Sequence, residues 1–119
     1  MFKVIIAGTR TFQDYDLLRR YVDMKLSSVS MRDDIEIVSG CARGADTLGE
    51  RYAAEQGYPV KRFHADWQQY GKSAGYRRNK AMAEYADALI AFWDGQSRGT
   101  MHMIALAKEH SLLIGLKYI

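Results

Sequence analysis

Val4-Ile5-Ile6-Ala7 runs without a polar residue into Gly8-Thr9-Arg10, and the fold turns on how this stretch is read. Four consecutive apolar residues ending at a glycine fit a strand buried on both faces and followed by a tight loop. A second run of the same kind, Ala88-Leu89-Ile90-Ala91-Phe92, lies far along the chain. Strands covered on both faces belong to parallel sheets flanked by helices, which sets the expectation of an α/β domain.

Three further apolar runs extend the pattern. With strands at Lys3 to Ala7, Ile35 to Val38, Val60 to Phe63, Ala88 to Phe92 and Leu112 to Tyr118, four helical stretches of about 10 to 15 residues fall between them, the spacing of right-handed βαβ crossovers. Asp14 is placed to cap the first helix, whose Leu18, Tyr21, Val22 and Leu26 share one stripe. Gly57 can stop the second, with Pro59 opening the next strand. Met82, Ala83 and Ala86 mark the third, and Thr100 stands as the cap of the fourth, ahead of Met103, Ile104 and Ala107. Val60-Lys61-Arg62-Phe63 carries charge in mid-strand, which suits a sheet edge. The expected architecture is one Rossmann-like three-layer domain over residues 1–119. Its five parallel strands take the order 3-2-1-4-5, with the switch point between strands one and four.

Composition narrows the partners. The 119 residues are 48% hydrophobic and 26% charged, enough for a core without metal or disulfide staples, and the single cysteine, Cys41, excludes an internal disulfide. The net charge of +3 suits an anionic ligand. The Lys and Arg residues are dispersed along the chain, so a nucleic-acid partner is not favoured. The opening apolar run is too short for a signal peptide, and no stretch approaches the roughly 18 to 20 apolar residues of a membrane span. The expected compartment is the cytoplasm, with no membrane partner; homo-oligomerisation stays open.

Three glycine-bearing loops follow strands one, two and four, and in such a sheet all three open at the same edge. The first offers Gly8, Thr9 and Arg10; the second Ser39, Gly40, Ala42, Arg43, Gly44 and Asp46; the third Gly95, Ser97, Arg98, Gly99 and Thr100. Glycines let backbone amides approach a ligand, helix starts add free N–H groups, and Arg10, Arg43 and Arg98 are placed to clamp phosphate oxygens. One glycine-rich loop alone often does no more than turn the chain, but three at a switch point favour a ligand. Gly71-Lys72-Ser73 imitates the end of a Walker A loop, but Asp66 stands where its first glycine belongs. The connection from His64 to Ala74 is either a flap that stacks a base on Trp67 or Tyr70, near Lys72, or a cover for the core. His64, His102 and His110 lack metal-ligand spacing with Cys41, so no metal and no cofactor is expected. Cys41, near a helix start, is either a thiol of lowered pKa or a small filler.

At these loops the chain resembles the YspA-related branch of the SLOG superfamily, kin to the DprA/Smf DNA-processing proteins and the LOG-type phosphoribohydrolases. The likeness is carried by Gly8-Thr9-Arg10-Thr11-Phe12, Ser39 through Asp46, Ala65-Asp66-Trp67 with Tyr70-Gly71-Lys72, Arg78-Asn79 with Met82, and Ala86-Asp87-Ala88 with Gly99-Thr100. It implies a Rossmannoid fold that binds nucleotides or nucleotide-derived small molecules. It also implies, for LOG-type enzymes, N-glycosidic hydrolysis by an arginine before strand four and a glutamate just after a Gly-Thr pair. Arg78 matches that arginine, but Met103 stands at the glutamate position, Trp93-Asp94 replaces the motif's Pro-Gly, and Cys41 replaces a glycine usual in the YspA-like branch.

Methionine can neither stabilise oxocarbenium charge nor position water. Asp46, Glu50 and Asp94 are the carboxylates that could take over, although Asp46 equally suits a helix cap and Asp94 a turn. The expected function is therefore binding of a nucleotide-like small molecule by a receptor or sequestering module. A nucleotide N-glycoside hydrolase is the alternative, and DprA-like nucleic-acid binding through Lys72, Arg77, Arg78 and the aromatic loop is a second one.

Overall fold

Side chains alternate across a strand, and β1 (Phe2–Gly8) buries both of its faces. Val4 and Ile6 enter one apolar cluster with Leu18, Val22 and Tyr52, while Ile5 and Ala7 enter another with Met82, Met103 and Ala107. This computed structural model describes residues 1–29 and 34–119. Helices α1 (Tyr15–Leu26) and α2 (Ala45–Gln56) cover one face of the sheet. Beyond a short α3 (Trp67–Tyr70), α4 (Ala74–Tyr85) and α5 (Arg98–Glu109) cover the other.

The sheet is completed by β2 (Ile35–Ser39), β3 (Val60–Arg62), β4 (Ala88–Trp93) and β5 (Leu113–Tyr118), all parallel, in the order β3-β2-β1-β4-β5. The expected order and the switch between β1 and β4 are therefore observed. The strand with charge in its middle, β3, is at an edge with Lys61 and Arg62 exposed. Asp14 caps α1 by accepting from the Leu17 N–H at 3.1 Å, and Gly57 ends α2 in the left-handed region, φ +76°.

Two local expectations change. The cap of α5 is Ser97, so Thr100 sits inside the first turn, buried, and does not start the helix. The connection after β3 is not one open loop: Asp66 accepts from the Gln69 N–H at 3.1 Å and starts α3, and a 3-10 turn over Gly71–Ser73 leads into α4. An Asp cap four residues ahead of Tyr70 was the local signal for that turn of helix.

The approach of α2 to β1 is set by Gly49, where an added Cβ would lie 2.8 Å from the Ile6 Cβ and Cγ2. Gly49→Val is expected to lower the free energy of unfolding by about 1–3 kcal/mol, the usual cost of overpacking. Urea denaturation checks this as a lower midpoint with an unchanged slope.

Candidate ligand-binding site

Gly8 lets β1 end against β4, because a Cβ there would run into the Phe92 carbonyl oxygen. Thr9, buried, then ties three loops together. Its N–H donates to the Phe92 carbonyl at 2.9 Å, and its own carbonyl accepts from Phe12 at 3.2 Å and from Ala45 at 3.4 Å. Its hydroxyl accepts from the Asp94 N–H at 3.2 Å. Gly44 completes the approach in a conformation that favours glycine, φ +76°, with its position of side-chain attachment packed against the Arg10 carbonyl.

In the loop after β2, the Ser39 hydroxyl donates to Glu50 Oε2 at 2.6 Å and accepts from the Cys41 N–H at 3.1 Å. Glu50 Oε1 in turn accepts from Arg62 Nε at 2.9 Å. Cys41 holds a left-handed backbone, φ 62°, the conformation glycine takes most easily. Its thiol lies 3.8 Å from His64 Nε2. Burial, with the Glu50 charge, raises the thiol pKa, so the lowered value considered from its place near a helix start is not found.

Asp46 is the buried carboxylate of the site, 5% exposed on the first turn of α2. It caps the loop and not the helix, since its Oδ2 accepts from the Ala42 N–H at 3.2 Å. Burial pushes its pKa up to about 6, against the lowering pull of that N–H and of Arg78. Arg78 spans the opening from α4. One of its nitrogens donates to the Gly40 carbonyl and Nε donates to Asn79 Oδ1 at 2.9 Å. Asn79 Nδ2 then donates to the Gly99 carbonyl at 3.3 Å. The Arg78–Asn79 pair is thus a strut between the second and third loops. Gly40 is required there, because a Cβ would lie 2.8 Å from Asp46 Oδ2 and 3.1 Å from Arg78 Nη1.

Two adjacent chambers result. The inner one, about 60 Å³, has Gly8, Asp46, Asn79 and Thr100 on its walls and Met82 and Met103 at its apolar side. The outer one, about 420 Å³, is lined by Gly40, Cys41, Arg43, His64 and Trp67. Arg10, Ala42 and Arg78 wall both. Neither α2 nor α5 has a side-chain cap bond at its start, and the first N–H of α2, at Ala45, goes to the Thr9 carbonyl. Trp67 is half-exposed, with its ring 3.4 Å from where a Cβ on Gly75 would sit.

The sequence pattern of the YspA, cpYpsA-related SLOG family matches residues 2–70, which hold the first two loops and Trp67. The chain belongs to this SLOG family. The Gene 61 protein of Mycobacterium phage D29 is 35% identical over 117 residues, covering 92% of this chain and 90% of that protein. DNA processing protein A (DprA) of Streptococcus pneumoniae has a similar fold, with a TM-score of 0.76 at 16% identity over 98% of this SLOG chain and 50% of its own. DprA of Helicobacter pylori, whose structure is described for its single-stranded DNA binding mode, gives 0.67 at 20% identity over 97% and 64%. The SLOG chain thus spans about half to under two thirds of these DprA chains. No helix among its described residues is long and apolar enough to cross a membrane.

Within this SLOG fold, Gly8, Arg10, Gly40, Ala42, Arg43, Asp46, Trp67, Arg78, Asn79, Ser97, Gly99 and Thr100 do line the two chambers. Thr9, Ser39 and Gly44 act behind them as loop supports. Others point elsewhere. Arg98 is exposed and lines a separate groove with Tyr76, Met101 and His102. Tyr70 is stacked under the Arg77 guanidinium at 4.2 Å, Lys72 lies on the exposed 3-10 turn, and Gly95 has open space around it.

Of the substitute carboxylates, Glu50 is engaged by Ser39 and Arg62. Asp94 accepts from the Ser97 and Gln96 N–H groups, which hold its pKa below the ordinary value. His64, singled out in the sequence only as a poor metal ligand, lines the outer chamber, and its position two residues past β3 was the available signal.

The folded pKa of Asp46, about 6, exceeds the ordinary 3.8. Between those values the native chain therefore binds a proton more tightly than the unfolded chain. Stability falls as pH rises through the window, and the charged form costs about 3 kcal/mol at neutrality. Asp46→Asn is expected to be more stable than the parent at neutral pH, with the gap closing as pH drops below the window. Thermal unfolding across that range checks it, and a gap that stays constant contradicts it.

Proposed function

We propose that this chain binds a nucleotide or nucleotide-derived small molecule across the two chambers, as a receptor or sequestering module. The observation that carries the reading is that Arg10, Ala42 and Arg78 belong to both chambers, so a single ligand can lie across them. The start of α5 at Ser97, Gly99 and Thr100 suits an anionic group, and Trp67 offers a face for a base. The arginines supply charge-assisted bonds to phosphate oxygens. A second reading, single-stranded nucleic acid, is favoured by one surface: exposed Trp67 beside Tyr70 with Arg77 stacked on it. The small ligand is preferred because the cations Arg10, Arg43 and Arg78 lie on the chambers and not on that surface.

Arg43→Ala removes a cation from the outer chamber, and Gly99→Val adds bulk where nothing lies within 4 Å. Each is expected to weaken binding of a nucleoside phosphate about tenfold or more while leaving the fold intact. Calorimetry with thermal unfolding as control checks both; unchanged affinity in both variants contradicts the reading. Mass spectrometry of ligand released from the denatured protein identifies what is bound.

Binding without hydrolysis is the expected outcome. Met103 is buried on the wall of the inner chamber where the LOG-type glutamate would stand, and it cannot stabilise an oxocarbenium ion. Nucleoside 5′-monophosphates incubated with the protein for hours should release no free base by chromatography. Multiple turnovers that disappear on replacing Asp46, Glu50 or Asp94 by its amide would establish a hydrolase instead.

A further inference from the structure

Asp46 is the one carboxylate among the residues that line the two chambers. Everything charged beside it on those walls is cationic: Arg10, Arg43 and Arg78. Its Oδ2 is fixed by the N–H of Ala42, which with Arg10 and Arg78 walls both chambers, so this carboxylate of the inner chamber lies beside their junction. An ionised carboxylate there repels a phosphate and attracts a neutral hydrogen-bond donor. In the binding mode proposed above, with the phosphate at the start of α5 and the base on Trp67, the sugar would fall between them, beside the residues both chambers share.

Resting on the nucleotide reading above, we propose that Asp46 accepts a ribose hydroxyl and makes the site selective for ribonucleotides over 2′-deoxyribonucleotides. The position is built for an acceptor. Gly40 has no side chain to separate Asp46 from Arg78, and the Arg78–Asn79 strut fixes the opposite wall. A site that offers a buried acceptor to a hydroxyl discriminates against the analogue lacking it, because the acceptor is then left unmatched.

The groups that bear on Asp46 are Arg78 on α4, Arg10 after β1, Glu50 one turn along α2, the Cys41 thiol and the Ala42 N–H. A hydroxyl donor favours the charged carboxylate, so sugar selectivity is greatest where Asp46 is ionised and fades as it takes up its proton near pH 6. A phosphate facing Asp46 would do the reverse and bind more tightly as the proton arrives.

The test is calorimetric titration of the full chain with the 5′-diphosphates of adenosine, guanosine, cytidine and uridine and with their 2′-deoxy counterparts. It is run well above and well below the Asp46 pKa. At the higher pH at least one ribonucleotide is expected to bind about tenfold or more tightly than its deoxy partner, the value of one hydrogen bond to a charged group. That ratio is expected to shrink toward one at the lower pH. Taking the ratio cancels the titration of the phosphates themselves, and it needs no variant to fold. Asp46→Asn should show the reduced ratio at both pH values. Equal binding of each ribo and deoxy pair, or a ratio indifferent to pH, overturns the sugar-reading role while leaving nucleotide binding in place. Binding by none of these compounds sinks the nucleotide reading and this inference together, and capture of a short single-stranded DNA in their stead turns the site to the second reading.

Discussion

Thr9 and the glycine before it hold the working edge of this protein together. Gly8 removes the one side chain that would keep β1 from the Phe92 carbonyl, and Thr9 then bonds to β4, to the start of α2 and to the loop after β4. The loops are therefore not three independent turns that happen to lie near one another. Each is located by a bond to the same buried residue, and the chambers are the space left between them. The switch point in the strand order makes that space available, and the contacts of Thr9 give it a fixed shape.

Asp46, Arg78 and Asn79 stand against the usual preference of a folded interior for apolar groups. The carboxylate is buried at a cost to its own ionisation, and the guanidinium is likewise penalised by burial. They are held by main-chain partners from both neighbouring loops. The ligand proposed above would meet all three at the cleft between those loops.

Much of the architecture was legible because the unbroken apolar run Val4-Ile5-Ile6-Ala7 feeds two cores at once, and because the charges of Lys61 and Arg62 suit an edge. The direction of Arg98 was not legible. Taking Thr100 as the cap displaces the start of α5, and each residue of a helix turns the side-chain direction by roughly 100°. With Ser97 as the cap, Thr100 turns inward and Arg98 turns out to the Tyr76 groove. The strut had a trace in the sequence. Asn79 lies three and four residues before Met82 and Ala83 and is buried with them on α4, so a polar residue stood on an apolar stripe. Asp46 was legible as a member of the second loop, but its hold on that loop depends on the Ala42 N–H and on the bare backbone of Gly40.

The bond between the Asp94 N–H and the Thr9 hydroxyl joins residues 85 positions apart in sequence. A contact of that separation closes a long loop, and the chain entropy it costs is offset only together with the β1–β4 pairing of the same span. The chambers accordingly belong to the finished sheet and to no shorter stretch of chain. The proposed ligand would bind the folded population alone, and its occupancy would then stabilise the whole domain by an amount that grows with the logarithm of its concentration over its dissociation constant.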